Sequence, residues 1–135
     1  MTNVSKQQLT ADVADKLRLQ LARIFDNVPV QKSKNLFDAL LTESEQIMLA
    51  KRLAVILLLH QQVSVVDISR RVLVSDATVR TLRKQYKTGR YAPLVSHCTS
   101  HSFDSKKFWQ TLEVVLRGGL PPRGKDRWQW IQSRS

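Results

Sequence analysis

Between Asp76 and Lys87 the chain carries Arg80, Arg83, Lys84 and Lys87. Wound as a helix at about 100° per residue, these four cations share an arc of about 100°, while Val79, Leu82 and Tyr86 share an arc of about 60° on the other side. One side of that helix is suited to a core and the other to an anion. An arginine fork can donate two parallel hydrogen bonds to guanine O6 and N7, and the major groove of B-form DNA admits a helix. Arg80 stands closest to the helix start, where base edges are read, and Arg83, Lys84 and Lys87 follow at positions suited to phosphates. Ser75, Asp76 and Ala77 complete the base-reading candidates. Asp76 can accept from a cytosine amino group or simply place a favourable charge at a helix N-terminus, and Ala77 can touch a thymine methyl.

The elements around this helix carry their own start signals. Ser64-Val65-Val66-Asp67 opens a short helix to about Arg71, and Ser75 opens the cationic helix to about Lys87, so 64–87 has the form of a helix-turn-helix. Ile68, Val72, Val74, Val79 and Leu82 are its expected small core. Ser64, Ser69, Arg70, Arg71, Thr78 and Thr81 join the DNA-binding set. Turns of this class often use Gly where this chain has Leu73, because a positive φ angle is needed there, so a local departure of the turn is expected.

Upstream, Thr10 is positioned to cap a helix to about Asp26, Val28-Pro29-Val30 breaks it, and a shorter helix is expected near Lys34–Leu41. Thr42-Glu43-Ser44-Glu45 has the form of a capping box opening a helix to about His60. Its stretch Leu53–Leu59 is apolar all the way round, which implies burial on every side and predicts a place at the centre of a homodimer, the alternative being the central helix of a monomeric bundle. After Gly89, Arg90–Ser102 lacks periodicity and reads as a loop. Asp104 or Ser105 then caps a helix through about Arg117, with Phe108, Trp109, Leu112, Val115 and Leu116 on its apolar side. The expected organisation is one all-α domain over 1–117 and a basic, Trp-containing tail over 118–135.

Charge supports a polyanionic partner. The chain has 135 residues and a net charge of +11, and residues 70–135 supply nearly all of it, as a positive field that attracts phosphate does. The tail adds Arg123, Lys125, Arg127 and Arg134 around Trp128 and Trp130, which suit packing against protein or stacking on bases. A single cysteine excludes an intrachain disulfide, and the polar N-terminus and the seven-residue run Leu53–Leu59 give no secretory or membrane signal, so a cytoplasmic address is expected. His97, Cys98 and His101 lack a fourth ligand, and no metal or other cofactor is expected. With no phosphate loop, metal pair or nucleophile with a base, an enzyme is not expected.

The span Leu40–Lys84, LLTESEQIMLAKRLAVILLLHQQVSVVDISRRVLVSDATVRTLRK, resembles the Trp repressor superfamily. It shares a Leu-Thr-x-x-Glu cap, a long helix with a Lys/Arg pair, and a helix-turn-helix whose second helix reads Ala-Thr-hydrophobic. The resemblance implies an intertwined all-helical homodimer whose heads read a near-palindromic operator, hence a transcriptional regulator and, in the family's manner, a repressor. It also implies an effector pocket at Thr42 and Arg52. Where the family has an Arg-Gly pair in the recognition helix this chain has Thr81-Leu82, so tryptophan is not the expected ligand and any effector stays open. The competing readings are an RNA-binding or non-specific nucleic-acid scaffold using the same basic face, and a module docking an acidic protein.

Overall fold

The computed structural model describes residues 10–100 and 103–118, and seven α-helices account for most of them, with no strand among the described residues. The chain separates into two compact units with the boundary at Glu43 and Ser44.

The first unit contains α1 (Ala11–Arg23) and α2 (Val30–Leu40). Thr10 caps α1 by accepting from the Val13 amide at 3.3 Å. The helix closes at Arg23 in a turn that includes Asn27 at φ 51°, a left-handed position that asparagine tolerates. The second helix begins four residues before its expected start. Pro29 is its N-cap, where a missing amide proton costs nothing, and the Pro29 carbonyl already accepts from Ser33. Phe25 packs on Phe37 with ring centroids 5.0 Å apart. Neither helix contains a buried residue.

The second unit is built on α3 (Glu43–His60). Ala54, Val55, Ile56, Leu57, Leu58 and Leu59 are all buried, none more than 8% exposed. Six consecutive residues at 100° each cover the whole circumference, so this half of α3 is surrounded on all sides. The cover comes from the same chain: Ile68 and Val72 of α4 (Val65–Val72), Val79 and Leu82 of α5 (Asp76–Lys87), Tyr91, Val95 of α6 (Ala92–Ser100), and Trp109 and Leu112 of α7 (Ser105–Leu116) complete one cluster. The expectation that the apolar run needs a second subunit for cover is thereby corrected. The stretch read as a loop over Arg90–Ser102 is corrected too, since α6 occupies most of it. Its Ser, Thr and His residues are weak helix formers, and only Val95 of α6 is buried, so the helix leaves little periodicity to read. Thr99 Oγ1 and Ser100 Oγ donate back to the carbonyls of Val95 and His97.

Three helices of this unit end alike. The amides of Val63, Val74 and Arg90 donate to the carbonyls of Leu58, Ser69 and Gln85, and the residue just before each donor is left-handed: Gln62 at φ 63°, Leu73 at φ 59°, Gly89 at φ 86°. This six-to-one closure favours glycine, yet only one of the three positions has it. The helix-turn-helix turn therefore keeps its standard shape with leucine in place, correcting the expected local departure. Left-handed leucine costs about 1–2 kcal/mol, partly offset because glycine loses more freedom on folding. Leu73→Gly should raise unfolding stability by up to about 1 kcal/mol in a denaturant titration; a loss of stability would mean that the half-exposed leucine side chain outweighs its backbone strain.

Candidate nucleic-acid interface

The turn Leu73–Ser75 joins α4 to α5, and the apolar sides of the two helices meet. Ile68, Val72 and Val79 are fully buried, Leu82 nearly so, and Val74 partly, which is the expected small core. Both helices are capped as their sequences indicate. Ser64 Oγ accepts from the Asp67 amide at 3.2 Å and Ser75 Oγ from the Thr78 amide at 3.1 Å. Two further bonds set the turn. Ser69 Oγ donates to the Val74 carbonyl at 2.6 Å across the corner, and Lys51 Nζ donates from α3 to the Leu73 carbonyl at 3.4 Å.

With Val79 and Leu82 pointing inward, Arg80, Arg83, Lys84 and Lys87 are all exposed along one side of α5. Arg83, Lys84 and Lys87 carry no ion pair among the described residues, and Arg80 has a long one to Asp76, Nη2 to Oδ2 at 4.0 Å. Arg70 and Arg71 lie at the end of α4, Arg70 exposed and Arg71 half-buried. The hydroxyls at the start of α5 are occupied within the helix. Ser75 Oγ and Thr78 Oγ1 are 2.8 Å apart, and Thr81 Oγ1 donates to the Ala77 carbonyl at 3.0 Å. Ser69, expected among the DNA contacts, has its hydroxyl committed to the turn.

Sequence reasoning did not find a third side of α5. Between its cationic and apolar arcs, Ala77, Thr78, Thr81, Leu82 and Gln85 border a cleft of about 650 Å³ whose far wall is α3. Lys51, Arg52 and Arg90 bring three cations to it and no carboxylate lines it. Tyr91 also lines it, its hydroxyl donating to Gln85 Oε1, and the Arg90 guanidinium lies 5.8 Å from the Tyr91 ring centroid. Of the two effector-pocket candidates, Arg52 lines the cleft, and Thr42 is exposed at the residue before α3. Thr81 and Leu82 do line it, so the departure from the family's Arg-Gly pair falls on the cleft wall. His60, at the end of α3, reaches α5 through Nδ1 at 2.9 Å from the Tyr86 hydroxyl.

His97 and Cys98 are neighbours on α6, and His101 lies outside the described residues, as do Arg123, Lys125, Arg127, Trp128, Trp130 and Arg134. Burial pushes the Cys98 thiol up from its ordinary range. No helix among the described residues is long and apolar enough to cross a membrane.

A capped helix pair on a three-residue turn, its second helix exposing a cationic side, is a helix-turn-helix. The family described as Trp repressor protein matches residues 16–92, more than half of the chain, and the chain belongs to that family. The family consists of regulators rather than enzymes, and DNA is the partner it implies. No curated protein and no solved structure matches the chain.

Because the Ser69 hydroxyl serves the turn, Ser69→Ala should lower stability by about 1 kcal/mol. Thermal unfolding without DNA checks this, and an unchanged melting temperature would show that the 2.6 Å bond contributes nothing net.

Proposed function

We propose that this chain is a sequence-specific repressor that reads the major groove of double-stranded DNA with α5. The observation that carries the reading is the division of α5 into a buried apolar side and an exposed side bearing Arg80, Arg83, Lys84 and Lys87. In this reading Arg80 pairs with a guanine edge, Asp76 and Ala77 lie beside neighbouring bases, and Arg83, Lys84 and Lys87 neutralise phosphates with help from Arg70 and Arg71. Ser64, Ser75, Thr78 and Thr81 act through capping and backbone bonds that fix the helix start, and Ser69 acts through the turn. A cytoplasmic address belongs to the same proposal.

The cleft behind α5 is the candidate effector site, and its three cations suit an acid more than a neutral molecule. Thr81 and Leu82 on its wall argue against tryptophan. The functional unit is a homodimer. Its support lies in the first unit: Val13, Leu17, Leu21 and Ile24 are 40–54% exposed along α1, and α2 likewise buries nothing, which leaves their apolar sides for a second copy.

Binding-site selection from random duplex DNA tests the reading against a non-specific or RNA-binding scaffold. A repressor enriches a motif with two related half-sites, whereas a scaffold enriches none and binds RNA equally well. On the selected site Arg80→Ala should cost about 1–3 kcal/mol and relax the preference at one base pair, while Lys84→Ala should weaken all sequences alike and lower the salt slope by about one. Sedimentation checks the assembly independently. A dimer is expected at micromolar concentration, and a stable monomer there would overturn it.

A further inference from the structure

Asp76 is the only acidic residue in α5 and its first residue, one turn ahead of Arg80. The carboxylate and the guanidinium face each other at 4.0 Å with both side chains about half exposed, while the other three cations of the helix stand without a carboxylate partner among the described residues. The nearby hydroxyls are no competitors. Ser75, Thr78 and Thr81 bond to one another or to the helix backbone. The polar side-chain groups left at the reading end of α5 are therefore the Asp76 carboxylate and the Arg80 guanidinium.

We propose that Asp76 sets the specificity of this helix, its carboxylate holding the Arg80 guanidinium across one turn so that the fork meets a guanine edge already oriented. The inference rests on the major-groove reading above. A guanidinium has five N–H donors in a fixed fork, and pairing with guanine O6 and N7 uses two of them, leaving others for the carboxylate. Long side chains lose rotamer freedom when they bind, and a tether formed before binding removes part of that loss. The same carboxylate works against wrong sequences. On DNA lacking the guanine, an Arg80 that turns away to a phosphate leaves Asp76, and the freed carboxylate then faces the acceptor-rich groove and the phosphates unpaired. Affinity for the right site is kept while affinity for all others falls.

The competing reading is that Asp76 merely complements the positive end of the α5 dipole. Four proteins separate the two: wild type, Asp76→Asn, Arg80→Ala and the double variant, each taken through binding-site selection. Affinities for the selected duplex and for a scrambled one are then measured at several salt concentrations. The expected result for Asp76→Asn is about three- to tenfold tighter binding to the scrambled duplex. Its specific to non-specific ratio should fall by about tenfold, with the lost preference confined to the base pair that Arg80→Ala relaxes. In the Arg80→Ala background the same substitution should leave the ratio unchanged. Equal weakening of both duplexes, which is what loss of a dipole partner gives, would overturn the inference. So would a ratio that stays within about twofold of wild type, or an effect that persists without Arg80. A wild type that enriches no sequence overturns the major-groove reading itself and the inference with it, an outcome distinct from the other three.

Discussion

Burial of Ala54–Leu59 around the whole circumference of α3 is the constraint from which the arrangement of the helix-turn-helix follows. A helix that hides every side must be wrapped, and four helices and Tyr91 supply the wrapping side chains. Burying a Val, Leu or Ile contributes about 1.5–3 kcal/mol, whereas an exposed ion pair contributes about 0–1. The rotational setting of α5 is thus decided by Val79 and Leu82 and not by its cations. The cations point outward because they are excluded from the core, so the reading surface is a by-product of packing. Charge substitutions on that surface can therefore alter binding without moving the helix.

The starts of α1, α4, α5 and α7 were legible in the sequence, and so were the ends at His60 and Lys87, whereas the start of α2, the whole of α6 and the backbone closures after α3 and α4 were not, for a physical reason. Thr10, Ser64, Ser75 and Asp104 each accept the amide three residues ahead, a contact built from one side chain and its own neighbours. The closures at Gln62 and Leu73 require a left-handed backbone that neither residue type announces. The Lys51 and Ser69 bonds to the turn, the first from a distant helix, help to hold the one at Leu73. Gly89 was readable because glycine signals that conformation by itself. The apolar run in α3 had the opposite difficulty. Its pattern says correctly that the helix is enclosed, but a pattern of period 3.6 has no information on whether the enclosing residues belong to the same chain.

The site divides in the same way. The cationic and apolar sides of α5 were legible because a helical wheel needs only local sequence. The cleft was not, because Lys51 and Arg52 meet Thr81, Gln85, Arg90 and Tyr91 only after α3 and α5 have packed. Reading a cleft requires knowing which helices are neighbours, and that information lies in long-range burial.

Two sides of one helix therefore carry the two candidate functions: cations in front, cleft behind. The fixings of α5 are distributed unequally between its halves. Toward the end, Tyr86 meets His60 and Gln85 accepts from the buried Tyr91, tying this half to α3 and to the start of α6. At the beginning, where Asp76 and Arg80 project, the holds are the Ser75 cap, the Ser69 bond and the long contact from Lys51 to Leu73. Lys51 also lines the cleft. A ligand can bias DNA binding only if it contacts one placement of α5 more favourably than another. An acid in the cleft would draw on the same Lys51 ammonium that donates to the turn, competing for the contact that seats the reading end of the helix. Coupling between the two sides would then need no long pathway through the protein, because the Lys51 side chain lines the cleft and also bonds the turn that leads into α5.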